Sequence, residues 1–499
     1  MNIRPAILST LLLAGLPAAG KTASELWGER GERWTPESRL PDFSFAGYRC
    51  GEASPPRRKV VANVRDFGAK GDGRHDDIDA FRRAVEATDA GAILVPAGRY
   101  LLSDVLWIEK PGITLLGEGP DRTVLYFPKM LEDVRPNMSA TTYGRPTSGY
   151  SWSGGFVWVR GHSNEKPLAD VAKPARRGSN ELVVRSAARL RVGQRIVLKQ
   201  TDDAEKTFVS HLYAGDPGDV SKIVKPIRLR FVARIAALSG RHVRLDRPLR
   251  TDVRLEWQPK LAAFEPSVHD VGIENLAFEF PVTPYEGHFT ERGRNALAFS
   301  GVADSWVRDL CIRNADSGIF FSGSWFCSAS HVLFESERPA KKGCTGHHGI
   351  EFGTDCLLED FDFRTHFIHD LTMGYLSAGN VVKNGRGIDL SFDHHRMCNH
   401  ENLFCNLDVG EGDGIWRCGG GRALGRHCGA RGTFWAIRSR QPIRWPPNDF
   451  GPDLLNLVGL ETDQKPHLDP GGRWFEPIPP ERLRPADLHA AQLRHRLHP

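Results

Sequence analysis

Six short stretches between Ser305 and Ala436 align as one repeating unit. They run Ser305 to Asp309, Ser330 to Phe334, Asp355 to Glu359, Asn380 to Asn384, Asn402 to Asn406 and Gly432 to Ala436, at steps of 25, 25, 25, 22 and 30 residues. A near-constant period of this size is the mark of stacked turns, none of which can bury its apolar face alone. Val307, Val332, Leu357, Val382, Phe404 and Phe434 share the third position and form the expected inward column. A second run of Gly plus apolar residues follows in most turns, at Gly318, Gly349, Gly374, Gly387 and Gly414. Short runs rich in β-branched and aromatic residues, punctuated by Gly and Asn, read as strands. A helical repeat would need a long 3.6-residue periodicity in each unit, and none is present. The chain is therefore expected to be all-β, a right-handed parallel β-helix. Asn380 and Asn402, like Asn384 and Asn406, are 22 residues apart. Asn tolerates the left-handed backbone of a tight corner, and stacked amides can bond from turn to turn.

Solenoids lengthen by adding turns, so 499 residues need only one elongated body with decorations. A basic start, an apolar run from Pro5 to Leu16 and the small residues Ala18, Ala19 and Gly20 read as a signal peptide over 1–20, cleaved near Gly20. The mature chain is expected to be secreted or periplasmic, without a membrane span, and monomeric. Nine cysteines fit that compartment; Cys418 with Cys428 is the candidate disulfide, and free cysteines stacked inside the β-helix are the equally ordinary alternative. Cys398, His400, Cys418, His427 and Cys428 lack the paired spacing of a zinc site, so no metal is expected there. The formal net charge of +5 favours an acidic ligand such as a uronate polymer. Nucleic acid would require denser Lys/Arg runs interleaved with aromatics.

After a lead-in over 21–58 comes Asn63-Val-Arg-Asp-Phe-Gly-Ala-Lys-Gly-Asp-Gly-Arg-His-Asp-Asp-Ile-Asp-Ala-Phe81, then Ala92 to Tyr100 and Gly112 to Gly119. These segments resemble the start of the pectate-lyase-like superfamily of carbohydrate-active proteins. The resemblance implies a β-helix and leaves the reaction open. Asp76 or Asp77 is read as a helix cap before Ile78, Phe81, Ala84 and Val85 rather than as a catalytic group. First turns are expected over 59–129, an inserted β subdomain over 130–260, the main β-helix over 261–440 and a Pro-rich tail over 441–499 with an end helix around Leu488 to Leu497. The stretch from His394 to Trp435 resembles a bacterial β-helix family of unknown function.

Insertions in a solenoid emerge on one face and commonly carry the binding site. Ser391 to Glu401 and Cys418 to Arg431 are the long connections, expected to be neighbours in adjacent turns. They hold His394, His395, Arg396, His400, His427 and Arg431, the expected catalytic set. Asp393, Glu401, Trp416, Arg417, His369 and His348 are the expected substrate-binding set. Elimination at a uronate needs a cation for the carboxylate, a base for the C5 proton and an acid for the leaving oxygen, and His with Arg supplies all three. His394 or His395 is the expected base. Arg396 and Arg431 are the carboxylate clamps, and His400 or His427 the proton donor. A polysaccharide lyase acting on an acidic polysaccharide is therefore the leading reading. A glycoside hydrolase would need two facing carboxylates, for which Asp393 with Glu401, Asp360 with Asp362 or Asp389 with Asp393 are available. The resembled hydrolases carry Gly-His-Gly and Asn-Thr-Asp, whereas this chain has Gly346-His-His-Gly349 and Gly353-Thr-Asp355. A non-catalytic polysaccharide-binding solenoid is the third reading. No cofactor is expected; calcium is the alternative, but no all-oxygen cage is visible.

Overall fold

The computed structural model describes residues 21–140, 146–465, 467–469 and 471–498. The expected signal peptide and its cleavage near Gly20 lie outside the described residues. Successive turns lay down three parallel walls, making a right-handed parallel β-helix. On the first wall the inward column runs Ile93, Leu115, Ile273, Val307, Ala329, Leu358, Val382, Phe404, Phe434, Leu457 and Phe475, one residue per turn in register. Two expected members fall elsewhere. Val332 aligns with Leu310 and Phe361 on the second wall. Leu357 pairs with Val381 on the outer side, and that column, continued by Leu403, shares an apolar cluster with Leu26, Phe43 and Leu488. An apolar outer column beside the inner one is why the repeat alone misplaced the register. The outer column is covered by the lead-in together with the C-terminal helix Leu488–Leu497.

First and second walls meet at a column of left-handed residues: Asn275, Asp309, His331, Asp360, Asn384, Asn406 and Ala436, with φ between 47° and 65° like the other non-glycine residues of the corners nearby. Asn, Asp and Gly reach this conformation at least cost, which explains the polar punctuation of the repeat. Asn406 Nδ2 donates to Asn384 Oδ1 at 2.8 Å, and Asn380 Nδ2 donates to Asn402 Oδ1 at 2.9 Å, the bonds between turns that the 22-residue step implies.

The third wall is a separate seven-stranded sheet whose inward column is Leu106, Val157, Leu297, Ile319, Ile350, Leu371 and Phe392. Gly374 and Gly387 therefore do not open the strands expected of them. Leu371 and Phe392 take those places, so Phe392–His394 is a strand rather than part of a loop. Val157–Arg160 also belongs to this wall, which moves the start of the insertion beyond the expected boundary at 130. The insertion itself is a six-stranded antiparallel sheet that ends with Lys260–Ala263, around Leu182, Ile196, Leu198, Ile235 and Val243. Its helix Thr207–Leu212 and Tyr213 pack under the two long connections. Tyr213 Oη accepts from the Cys398 N–H at 2.9 Å, and Leu212 O accepts from the Ala430 N–H at 2.9 Å.

All nine cysteines are free thiols, which corrects the candidate Cys418–Cys428 disulfide. Cys418 Sγ instead lies 3.4 Å from the His394 N–H, and Cys428 packs in the core. Asp77 accepts from the Lys70 and Gly71 N–H groups and stitches the loop before helix Ile78–Ala87, while Asp76 accepts from Ile78 N at 3.3 Å. No helix of the described residues is long and apolar enough to cross a membrane.

Candidate active site

Strand alternation separates the two histidines that the sequence offered as equivalents. His394 points inward with Phe392's neighbours, fully buried against Phe404, Phe434 and Phe450, and its Nδ1 bonds Phe392 O at 2.9 Å. Burial pulls its pKa down to about 4. His395 leaves the strand end on the outer side with 34 % of its side chain exposed. There it meets residues from neighbouring turns that register brings together. His348 and His369 are partners on adjacent strands, and Glu351, Thr372 and Asp393 form the next column. Ring centroids lie 5.1 Å apart for His348 and His369, 5.3 Å for His369 and His395, and 6.0 Å for His348 and His395.

Asp393 organises this cluster. It is fully buried, and its Oδ2 accepts from Thr372 Oγ1 at 3.0 Å and bonds His395 Nδ1 at 2.9 Å, while its Oδ1 accepts from the Gly419 N–H at 2.6 Å. Burial alone would raise its pKa, but the cationic forms of His369 and His395 and these bonds hold it well below the usual carboxylate range. His395 is pulled down by burial and up by Asp393, and the Asp393 contribution prevails, so its pKa is raised. Burial lowers His369 to about 4 and His348 well below its ordinary value. Glu351, half-buried beside them, is pushed up to about 7 by burial. Gly419 leaves room for the rings: a Cβ there would sit 2.5 Å from His395 Cε1 and 2.7 Å from His369 Cε1. Arg417, two residues earlier, is exposed and contributes to the depressed pKa of His369, behind burial, His395 and His288.

Five residues outside the expected site, Glu351, Thr372, His288, His347 and Trp152, complete the cluster. Glu351 and Thr372 stand between the expected histidines on the same wall. His288, on the connection before Asn295–Ser300, lies 4.7 Å from His347 and 5.7 Å from His369, centroid to centroid. Trp152 stands edge-on to His347 at 5.0 Å, a half-buried aromatic at the cluster. The column of Glu351 and Thr372 follows from Ile350 and Leu371 once the third wall is in register, whereas His288 carries no repeat signal. Two groups of His and Asp have ligand atoms within 4.8 Å of one another among the described residues: His288, His347 and His369, and His369, Asp393 and His395.

The remaining expected site residues lie apart from this cluster. The two long connections do abut, with Gly429 N donating to Asn399 O at 2.7 Å, but they enclose structural contacts. Arg396 Nη2 and His427 Nε2 are 2.8 Å apart, with Asp449 3.5 Å from the imidazole. Burial lowers the His427 pKa, assisted by Arg396. His400 is buried with Nδ1 bonded to Cys398 O at 2.8 Å and a pKa of about 4 from burial. Glu401 is a buried corner residue 2.9 Å from Arg177 and 3.6 Å from Arg431. Burial lowers the pKa of Arg431. Trp416 packs on Phe434 and Phe450 and donates to Arg444 O at 2.8 Å. Of the alternative carboxylates, Asp360 and Asp362 line a second-wall groove with Arg364, Arg386 and Asp408, and Asp389 accepts from the Gly414 N–H.

The fold and site thus define a parallel β-helix with an imidazole-rich cluster at the outer side of its third wall. Residues 61–164 match the family described as Rhamnogalacturonase A/epimerase, pectate lyase-like. Similar proteins include mannuronan C5-epimerase AlgE1 of Azotobacter vinelandii, 34 % identical over 19 % of this chain and 7 % of its own length. Glucan 1,3-beta-glucosidase of Cochliobolus carbonum is 44 % identical over 13 % of this chain and 10 % of its own. Alginate lyase 7 of Azotobacter vinelandii is 32 % identical over 18 % and 12 %. The chain therefore spans about a tenth of the length of these relatives. The solved tailspike protein gp49 of Pseudomonas phage LKA1 aligns over 76 % of this chain and 63 % of that one, at 14 % identity and a TM-score of 0.44.

Proposed function

We propose that the protein is a secreted carbohydrate-active enzyme, a polysaccharide lyase that cleaves a uronate-containing polysaccharide by β-elimination at the third-wall cluster. The observation that carries this reading is the partly open His395 held by the buried Asp393 beside Glu351. Asp393 fixes the ring through Nδ1 and leaves Nε2 as the base. Nε2 takes the C5 proton, the C4–C5 double bond forms as the C4–O4 bond breaks, and Glu351, protonated up to about pH 7, supplies the proton to the departing O4. Arg417 neutralises the C6 carboxylate, which acidifies C5. The names of two similar proteins, a mannuronan epimerase and an alginate lyase, and the net charge of +5 agree with an acidic substrate.

Hydrolysis has one observation in its favour. Glu351 and Asp393 are two carboxylates whose surroundings push their pKa values apart, two strands from each other, a separation of about 9–10 Å between backbones. Against it, both Asp393 oxygens are already engaged, by Thr372 and His395 on one side and Gly419 on the other, which suits positioning better than activating water. Pectin, alginate, glucuronan, ulvan and glycosaminoglycans, incubated with the protein and followed for unsaturated ends and reducing ends together, separate the readings. Both signals rising in step support elimination. Reducing ends without unsaturation indicate hydrolysis, and binding without either signal indicates a carbohydrate-binding solenoid.

A further inference from the structure

We propose that His288, His347 and His369 form a binding site for one divalent transition-metal ion of the zinc class, at the edge of the cluster next to His395. Their ligand atoms lie within 4.8 Å of one another. Nitrogens around a tetrahedral zinc ion sit about 2.1 Å from the metal and hence about 3.4 Å apart, so capture asks for a movement of roughly 1 Å. His288 can make it, being exposed on the connection before Asn295–Ser300, while His347 and His369 are fixed on the wall. The three ring planes are inclined at 46° to 77° to one another, at centroid distances of 4.7 to 5.7 Å, so the rings are not stacked face to face.

The surroundings of the two wall histidines strengthen the assignment. A ligating imidazole typically directs its other nitrogen at a carboxylate, which fixes the ring and raises its basicity. His347 Nδ1 lies 3.8 Å from Glu291 Oε1, and His369 Nδ1 lies 3.4 Å from Asp393 Oδ2. Both Nδ1 atoms are buried without a hydrogen-bond partner, and so is Glu291 Oε2. A sub-ångström shift on metal capture would complete those bonds, with Nε2 of each ring turned to the ion. Glu291 is itself anchored by Tyr285 Oη. Phe289 stacks on His288, and Trp152 stands edge-on to His347, forming apolar sides. Three imidazoles and no first-rank oxygen donor select zinc, cobalt, nickel or copper over calcium or magnesium. A three-nitrogen set leaves a coordination position open. The site stands on its own geometry. The further role of the ion, holding the substrate carboxylate beside His395, rests on the elimination reading.

The test uses the full chain, stripped with chelator and titrated with Co2+, following the visible absorption of the bound ion and its displacement by Zn2+. One Co2+ per chain is expected, with the band abolished in His347→Ala and in His288→Ala. Glu291→Gln should bind about 10-fold more weakly, the loss typical of a supporting carboxylate. His288 is exposed, so its variant should keep the wild-type thermal midpoint and separates loss of a ligand from loss of fold. No stoichiometric binding, or equal affinity in wild type, His288→Ala and His347→Ala, would overturn the proposal. Metal binding with no unsaturated product from any uronate polymer would count against the elimination reading alone. Unsaturated product formed equally in chelator would remove the ion's role in the reaction.

Discussion

His394 and His395 are adjacent in the chain and opposite in environment, because a strand sends successive side chains to opposite faces. One is core, the other part of the cluster. His395→Gln is expected to lower the rate of polymer cleavage by about 10²–10⁴-fold, the usual worth of a general base. His394→Phe should leave that rate within a few-fold of wild type; both are read by initial rates on the same polymer. The buried histidines also set an acid limit. His369, His394 and His400 have pKa values of about 4 in the fold, against an ordinary value of about 6.5. The unfolded chain therefore takes up protons first on acidification. The stability these groups contribute is complete above about pH 6.5 and is lost as pH falls toward 4. His395 has the opposite sign: its pKa is raised, so its contribution is present at low pH and lost as pH rises through that value. Urea midpoints measured from pH 7 to 4.5 should fall, and His394→Phe should flatten the slope, the full effect of one such histidine being about 3 kcal/mol. Of the residues chosen from the sequence, the structure brings His348, His369, Asp393 and His395 together, with Arg417 within electrostatic reach of His369. Inside and outside could not be told apart at His394 until the strand holding it was in register.

At the scale of the strand and the turn, left-handed corners and amide ladders carry the stacking. Asn402 Oδ1 accepts from the Asn380 backbone N–H at 3.1 Å and its side-chain amide at 2.9 Å, and its own Nδ2 donates to Ser377 O at 3.1 Å. Asn402→Ala leaves buried donors unmet and should cost about 2–3 kcal/mol in urea unfolding. The ladder was legible because Asn at a fixed step has few other uses. The first-wall column was legible only in part. Leu357, Leu358, Val381 and Val382 are all apolar, since one side faces the core and the other faces the lead-in and end helix. Period-2 alternation vanishes when both faces are covered, and with it the cue that sets register. His288 was not found because its connection has no counterpart in other turns, so its distance from His347 is a product of tertiary packing alone.

In the whole molecule, the inserted sheet is locked to the corners of the stack by buried charge. Asp355 receives Arg247 Nη1 at 2.8 Å, Arg247 Nη2 at 3.0 Å and Arg250 Nη2 at 2.6 Å, and all three residues are buried. Burial opposes the Asp355 charge, but Arg247 and Arg250 hold its pKa down. Asp355→Ala would strand two buried guanidinium groups and should destabilise the fold by about 3–5 kcal/mol, lowering the thermal midpoint and loosening the insertion to protease. Such a lock joins residues more than a hundred positions apart, which no local pattern in the chain announces. The central claim concerns the cluster that this assembly presents: that His395, oriented by Asp393, removes a proton from a uronate and leaves a double bond behind. It is tested most directly by the rate at which unsaturated ends accumulate from a uronate polymer, compared between wild type, His395→Gln and His394→Phe. Unsaturated ends matching reducing ends one for one in wild type and His394→Phe, and lost in His395→Gln, are expected. Undiminished unsaturated ends in His395→Gln, or reducing ends without unsaturation in wild type, would contradict it.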